Sequence, residues 1–227
     1  LNLMPKFYVV GTPIGNLEDI TYRAVRILNE VDLILCEDTR VTLNLLNKYG
    51  IKKTTLSYHS QSKLSKIEQI LKLIEEGKNL ALVSDAGTPT ISDPGSVLIS
   101  KIRERFPELE IIAIPGASAV ISALSIAGLP SAEFTFLGFL PHKKGRETLF
   151  KEIANSERVM VFYESPHRIL KALESLIKFS PTKKVVIARE LTKIFEQIVS
   201  GTPAQVLTYF TANSDKVRGE FVVLVSN

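Results

Sequence analysis

Residues 81–95 read Ala81-Leu82-Val83-Ser84-Asp85-Ala86-Gly87-Thr88-Pro89-Thr90-Ile91-Ser92-Asp93-Pro94-Gly95. Ala81 to Val83 is a short apolar run of the kind that forms a buried strand, and residues 84–95 are rich in Gly, Pro and Asp. A strand-to-helix connection commonly needs about two to six residues, so a loop of this length is expected to do more than turn the chain. A helix is predicted over 96–105 and a strand from Ile111 to Ile114. Toward the N-terminus, Leu64, Ile67, Ile70, Leu71 and Ile74 recur at helical spacing, closed by Gly77. Leu33 to Cys36 is another buried-type strand, followed by the polar corner Glu37-Asp38-Thr39-Arg40 and a helix with Leu43, Leu45 and Leu46 that ends at Gly50. Lys6 to Val10 is a β-prone run stopped by Gly11, and Thr21 caps a helix with Ala24, Val25, Ile27 and Leu28. Strands alternating with helices predict a mostly parallel sheet covered on both faces, with ligands outside the carboxyl ends of its strands.

Beyond Pro115-Gly116 the pattern changes. A helix is predicted over 117–127, ended by Gly128, with strands at 134–138, 158–163, 184–188 and 221–225. Ser165-Pro166 and Thr202-Pro203 each read as an N-cap followed by Pro at the first helical position. The expectation is an α/β protein of two domains, 1–116 and 117–227.

The 227 residues, 45% apolar and 23% charged, suit a globular chain with a real core. One cysteine, Cys36, excludes an intrachain disulfide framework and a cysteine-based zinc cluster, and His59, His142 and His167 are too far apart for a paired metal motif. No metal is expected, and the compartment reads as reducing and cytoplasmic. No signal peptide or membrane span is read, and the residues before Met4 are given no structural weight. Net charge is +4 but uneven, with basic clusters at 40–53, at Lys143, Lys144 and Arg146, and at Lys183, Lys184, Arg189 and Lys193. Each suits either ordinary solvated surface or a polyanion footprint.

Gly11-Thr12-Pro13-Ile14-Gly15 fails the dinucleotide fingerprint, and no phosphate-binding Gly-x-x-x-x-Gly-Lys-Ser/Thr occurs. This loop is either a plain turn or a ligand contact. In the long loop Asp85 directly follows a strand, placed to accept from a bound amine or hydroxyl, while Gly87 and Thr88 offer backbone groups; the alternative is that Asp85 and Asp93 are turn and cap residues. Pro115-Gly-Ala-Ser-Ala119 opens a helix with small side chains that suit a ligand packed against backbone amides. It is not a nucleophile elbow, which disfavours a serine hydrolase. In the second half, Glu164 and Glu190 could be general bases and Arg168, Arg189 and Lys193 could hold phosphates, or these charges pair among themselves.

Gly-Thr-Pro-Ile-Gly-Asn-Leu-Glu-Asp from residue 11, Cys-Glu-Asp-Thr-Arg from 36, the stretch 84–95, Pro-Gly-Ala-Ser-Ala from 115, Gly-Phe-Leu-Pro from 138, Phe-Tyr-Glu-Ser-Pro-His-Arg from 162, Ala-Arg-Glu-Leu-Thr-Lys from 188 and Gly-Glu-Phe from 219 together resemble one family. It is the small-subunit ribosomal RNA methyltransferase I family, within the tetrapyrrole methylase (class III) superfamily of S-adenosylmethionine-dependent enzymes. The resemblance implies two α/β domains, a mostly parallel sheet in the first and a mixed sheet in the second, with S-adenosylmethionine in a cleft between them. It further implies a homodimer, and 2′-O-methylation of a decoding-centre cytidine in 16S (small-subunit) rRNA, with the assembled small ribosomal subunit as partner. Carried over by motif, cofactor contacts fall on Pro13, Ile14, Asp85, Ala86, Gly87, Thr88, Ser118 and Ala119, and in the second domain on Tyr163, Leu191 and Glu220. Tetrapyrrole members typically carry Gly-x-Gly-x-Gly-Asp where this chain has Thr-Pro-Ile, which argues against a tetrapyrrole substrate.

A ribose hydroxyl is too weak an acid to ionise unaided, so a base or a cationic setting is required. Glu190 or Glu164 is expected as the base, with Arg189 and Lys193 positioning a phosphate; a lysine with a lowered pKa is the alternative base. The corner Glu37 to Arg40 is a second candidate site, or an internally paired loop. Two other functions stay open: a methylase of a corrin-type precursor, and a non-catalytic RNA-binding assembly factor.

Overall fold

The computed structural model describes residues 5–59, 64–93 and 95–227. The readings placed on Met4 and Pro94 lie outside the described residues. The chain divides after Ser118 into two compact units.

The first unit contains β1 (Lys6–Val10), α1 (Tyr22–Glu30), β2 (Leu33–Cys36), α2 (Thr39–Lys48), β3 (Thr55–Ser57), α3 (Leu64–Glu75), β4 (Leu80–Leu82), α4 (Ser96–Arg105) and β5 (Glu110–Ile114). Among the described residues its strands form one five-stranded sheet in the order β3-β2-β4-β1-β5, parallel throughout. Alternation along each strand loads both faces. Leu80 and Leu82 of β4 join Phe7, Ile70, Leu98 and Ile102 on the α3–α4 side, whereas Ala81 joins Val10, Ile27, Leu28, Ile34 and Leu46 on the α1–α2 side. Thr21 caps α1 as its position before an apolar-periodic run predicts, its side chain accepting from the Ala24 N–H at 3.1 Å.

The second unit contains α5 (Ala119–Ile126), β6 (Phe134–Phe139), α6 (Arg146–Asn155), β7 (Val159–Glu164), α7 (Ile169–Phe179), β8 (Lys184–Arg189), β9 (Gln197–Gly201), α8 (Pro203–Ala212) and β10 (Phe221–Ser226). Its sheet runs β6-β7-β10-β8-β9. β6 and β7 are parallel and the remaining pairs antiparallel. One face packs α6, α7 and α8 through Phe150, Ile153, Leu173, Leu176, Val206 and Phe210 onto Phe162, Ile187 and Val223.

Five elements depart from the sequence reading. The helix after Pro115-Gly116 starts at Ala119 rather than 117. Thr202 forms a full capping box with Gln205, as its pairing with Pro203 predicts, but Ser165-Pro166 does not start a helix: α7 begins at Ile169, and Pro166 to Arg168 form a turn whose Arg168 and Ile169 amides both donate to the Ser165 carbonyl. Strands β3 and β9 and helix α6 have no counterpart in the sequence reading.

Candidate active site

In the first unit the loops leaving β1, β4 and β5 meet at the carboxyl edge of the sheet. Thr12 and Gly87 exchange both backbone hydrogen bonds, at 2.9 and 3.1 Å. The Thr12 hydroxyl donates to the Ser84 carbonyl at 3.1 Å. The Gly11 N–H donates to the Ile114 carbonyl at 3.0 Å. Gly11 and Gly116 pass so closely that a Cβ on either would lie 2.8 Å from backbone atoms of the other, so only glycine fits both places. Ile14 lies 3.5 Å from the position a Cβ on Gly87 would take, and the Ala117 carbonyl 3.6 Å from it. The structure thus gathers Pro13, Ile14, Asp85, Ala86, Gly87, Thr88 and the run up to Ser118 around one backbone-lined corner. Thr90 and Ser92 hold left-handed φ values of 76° and 65°, strain that a plain connection has no reason to keep.

Asp85 Oδ1 accepts from the Asp38 N–H at 3.0 Å, which ties the long loop to the acidic corner after β2. Within that corner Asp38 caps α2 and pairs with Arg40, so the internally paired alternative describes these two residues. The Arg40 guanidinium and its N–H hold the Asp38 carboxyl down to about 2. Glu37 is pushed the other way, by burial and by the charge of Asp85. Asp93 is not a plain turn residue. Burial, the charge of Glu37 and that of Asp85 push its carboxyl up to about 6 against a hydrogen bond with Ser84.

The folded protein therefore binds the Asp93 proton more tightly than an unfolded aspartate at 3.8 does. The stability this contributes is complete below the unfolded value and is lost as pH rises through the folded one. Asp93→Asn is expected to stabilise the protein above about pH 6, by about 1 kcal/mol once solvent screening of a half-exposed carboxylate is allowed for, and to change nothing near pH 4. Thermal melts at the two pH values check this; an equal shift at both would mean that titration is not the cause.

In the second unit, register sets the site. Phe221 at the start of β10 lies opposite both Glu164 at the end of β7 and Arg189 at the end of β8. Glu164, Arg189 and the loops beyond them therefore share one edge of the sheet. The Glu164 side chain is fully buried, with Oε1 2.8 Å from Arg168 and Oε2 3.1 Å from Arg146. The Ser165 N–H donates to Oε1 as well, at 2.9 Å. A carboxylate with both oxygens held by guanidiniums is a poor proton acceptor, which corrects the expectation that Glu164 serves as a base.

Arg189 is also committed elsewhere than expected. Its guanidinium donates to the carbonyls of Arg218 at 2.8 Å and Phe195 at 3.3 Å, bracing two loops rather than presenting itself to a phosphate. Lys193 sits between Glu190 at 2.9 Å and Glu220 at 2.8 Å. Burial lowers its pKa, but hydrogen bonds to the two carboxylates outweigh this and raise it, so Lys193 is neither a base nor a free phosphate ligand. Burial works against the Glu190 carboxylate, yet the Lys193 ammonium, the Glu220 N–H and the Arg189 charge hold its pKa below the ordinary value. Both hydrogen bonds fall on Oε1. Oε2 meets no donor among the described residues. Glu190 and Thr192 both take left-handed φ, 52° and 67°, and the buried Thr192 hydroxyl has no hydrogen-bond partner among the described residues. Leu191 between them is buried. Tyr163 lies opposite Val222 of β10 in the sheet, packed edge-on against Phe136 and Phe139. Ala119 opens α5. Lys183, whose pKa burial lowers, fits a lysine base by pKa alone, but its ammonium is fixed to the Ser156 carbonyl and Asn227, at the opposite end of β8 from Arg189.

Sequence reading missed how Arg146 and Arg168 converge on Glu164, and it missed Phe139. Gly138 inside a strand pattern is the signal that could have found the latter, since such a glycine marks a bulge.

The family profile of Tetrapyrrole (Corrin/Porphyrin) Methylases matches residues 6–207. A relative from Thermotoga maritima named ribosomal RNA small subunit methyltransferase I is 46% identical over 98% of this chain and 99% of its own. The protein of the same name from Escherichia coli O157:H7 is 44% identical over 99% of this chain and 78% of its own. Among solved structures, the methyltransferase CobJ superposes with a TM-score of 0.71 at 21% identity, covering 98% of this chain and 94% of that one. Uroporphyrin-III-C-methyltransferase from Thermus thermophilus gives a TM-score of 0.66 at 17% identity, over 97% of this chain and 94% of its own.

Proposed function

The chain belongs to the tetrapyrrole methylase family, among the proteins named ribosomal RNA small subunit methyltransferase I, and from that membership we infer that it transfers a methyl group from S-adenosylmethionine to the ribose 2′-hydroxyl of a decoding-centre cytidine in small-subunit rRNA. The observation that carries this reading is identity of 46% over nearly the whole of both chains with a protein of that name. Fold likeness at 17–21% identity supports a methylase fold alone. A homodimer and the assembled small subunit as substrate belong to the same proposal.

The first-unit corner fits the donor chemically. S-adenosylmethionine supplies, when bound, an electrophilic methyl group on a cationic sulfur. Its positive charges suit the field of Glu37, Asp85 and Asp93, carboxylates close enough to raise the pKa of Glu37 and of Asp93. Asp85 has Oδ2 left to accept a donor, and Gly87, whose own backbone groups are both bonded to Thr12, holds Asp85 and Thr88 on either side of it in place. Pro13, Ile14, Ala86 and Ser118 belong to the same proposed set, with Ala119, Tyr163, Leu191 and Glu220 from the second unit.

The second-unit edge supplies the acceptor chemistry. The bound donor would supply its methyl group to the ribose oxygen, and Glu190 Oε2, the carboxylate oxygen that meets no donor among the described residues, is the atom of this chain that would take the hydroxyl proton. Lys193 holds Oε1 and keeps the carboxylate ionised, so Glu190 is ready to accept at neutral pH, though its lowered pKa makes it a weak base. Arg189 fixes the loop that carries it.

Transfer of a labelled methyl group to small subunits that lack the modification, followed by nucleoside analysis, tests the reading. Label is expected in a 2′-O-methylcytidine derivative. Label that ignores the subunit but enters a corrin-type precursor would move the protein to the small-molecule branch. Binding of neither donor nor label would leave a non-catalytic RNA-binding factor.

A further inference from the structure

β6 pairs Phe136 with Val161 and Phe139 with Tyr163, so three steps on β6 span two on β7, and the extra residue is a bulge in which Gly138 takes φ 64°. The bulge brings Phe136 and Phe139 to the same tyrosine, with ring centroids 4.9 and 5.3 Å from that of Tyr163. Phe139 remains 59% exposed. Phe139 is thus a ring held edge-on to Tyr163 with its remaining surface open to water.

After the buried Leu140 the chain runs Pro141-His142-Lys143-Lys144-Gly145, and residues 142–145 are exposed. Neither lysine makes an ion pair among the described residues. The loop is nevertheless anchored from beneath, because Arg168 donates to the Leu140 carbonyl at 2.9 Å and Arg146 to the Pro141 carbonyl at 3.3 Å. The same two guanidiniums clamp the buried Glu164. A buried ion triad contributes little to stability relative to an apolar equivalent; its consequence here is a basic loop fixed next to an exposed ring. α6 starts directly behind it with no side-chain cap.

We propose that Phe139, Lys143 and Lys144 form the grip for a single-stranded stretch of RNA flanking the methylated nucleotide, with one base stacked on Phe139 and two phosphates met by the lysines. Stacking on an exposed ring beside unpaired cations is the arrangement by which proteins hold unpaired strands. The proposal rests on the rRNA reading above.

The test uses the full chain and hypomodified small subunits, following methyl transfer at several salt concentrations. Lys143→Gln/Lys144→Gln is expected to raise KM about tenfold with kcat nearly unchanged, and to make log(kcat/KM) against log salt shallower by about 1.4, two single-strand phosphates' worth. Phe139→Ala is expected to raise KM about tenfold without altering that slope, and Phe139→Trp to restore it. All three side chains are exposed, and unchanged thermal midpoints confirm folding. Variants with wild-type KM and slope would overturn the grip while leaving the rRNA reading intact. A wild-type chain that methylates no subunit would overturn both. Variants that keep RNA affinity but lose self-association would assign the patch to a protein interface and overturn the proposal.

Discussion

Gly116→Ala is expected to abolish S-adenosylmethionine binding and to lower the thermal midpoint by about 5–10 °C. A Cβ at this position would lie 2.8 Å from the carbonyl carbon and oxygen of Gly11. Both partners are backbone, so no rotamer change relieves the contact, and the loops after β1 and β5 must separate. The Gly11 N–H bond to Ile114 and the paired bonds between Thr12 and Gly87 lie next in line. The displacement is thereby passed to the loop that carries Asp85. Overpacking that backbone alone must absorb costs about 2–3 kcal/mol, and in a chain of this size each kcal/mol moves the midpoint by about 2–4 °C. Gly77→Ala is the contrasting control: its φ of 81° is positive, unlike that of Gly116, and a Cβ there meets nothing within 4 Å among the described residues, so a conformational penalty applies with no steric one. Calorimetry with and without S-adenosylmethionine separates the two variants. If Gly116→Ala melts like the parent and still shifts with the donor, the close approach does not shape the site.

That close approach was legible in the sequence only as a pattern, Gly and Pro directly after apolar runs. So were the three loops that meet at the first unit's carboxyl edge, because sharp turns after buried strands need those residues locally. The elements that escaped are set by distant partners. β3 is three residues long and β9 half-exposed, and both are sheet edges whose pairing comes from a neighbour rather than from alternation. α6 places Leu149, Phe150 and Ile153 inward behind a Lys-Lys-Gly-Arg run that reads as loop. Ser165-Pro166 has the residues of a helix start, yet Arg168 is drawn to Glu164 and to the Leu140 carbonyl, which holds the first turn out of helical form. Charge was the least legible property. Arg146 stands with Lys143 and Lys144 in sequence, but the fold takes it out of the basic cluster and pairs it with a residue eighteen positions away.

The same separation of sequence neighbours from spatial partners gives the two glutamates opposite expected phenotypes. Glu164→Ala should cost about 3–5 kcal/mol of stability in urea unfolding, because it leaves Arg146 and Arg168, both largely buried, without a counter-charge. The loop anchored by those arginines should loosen with it. Glu190→Gln keeps the shape of the side chain, an oxygen for the Glu220 N–H and the Lys193 pair with Glu220, so its stability should change little. Its single-turnover transfer rate should fall by about 10²–10⁴, the usual contribution of a positioned base, with S-adenosylmethionine affinity retained. A Glu190→Gln enzyme that turns over at the parental rate would remove the proton acceptor from this edge altogether. Glu164 could not take its place, since each of its oxygens already faces a guanidinium, and the proton would then have to leave directly to water.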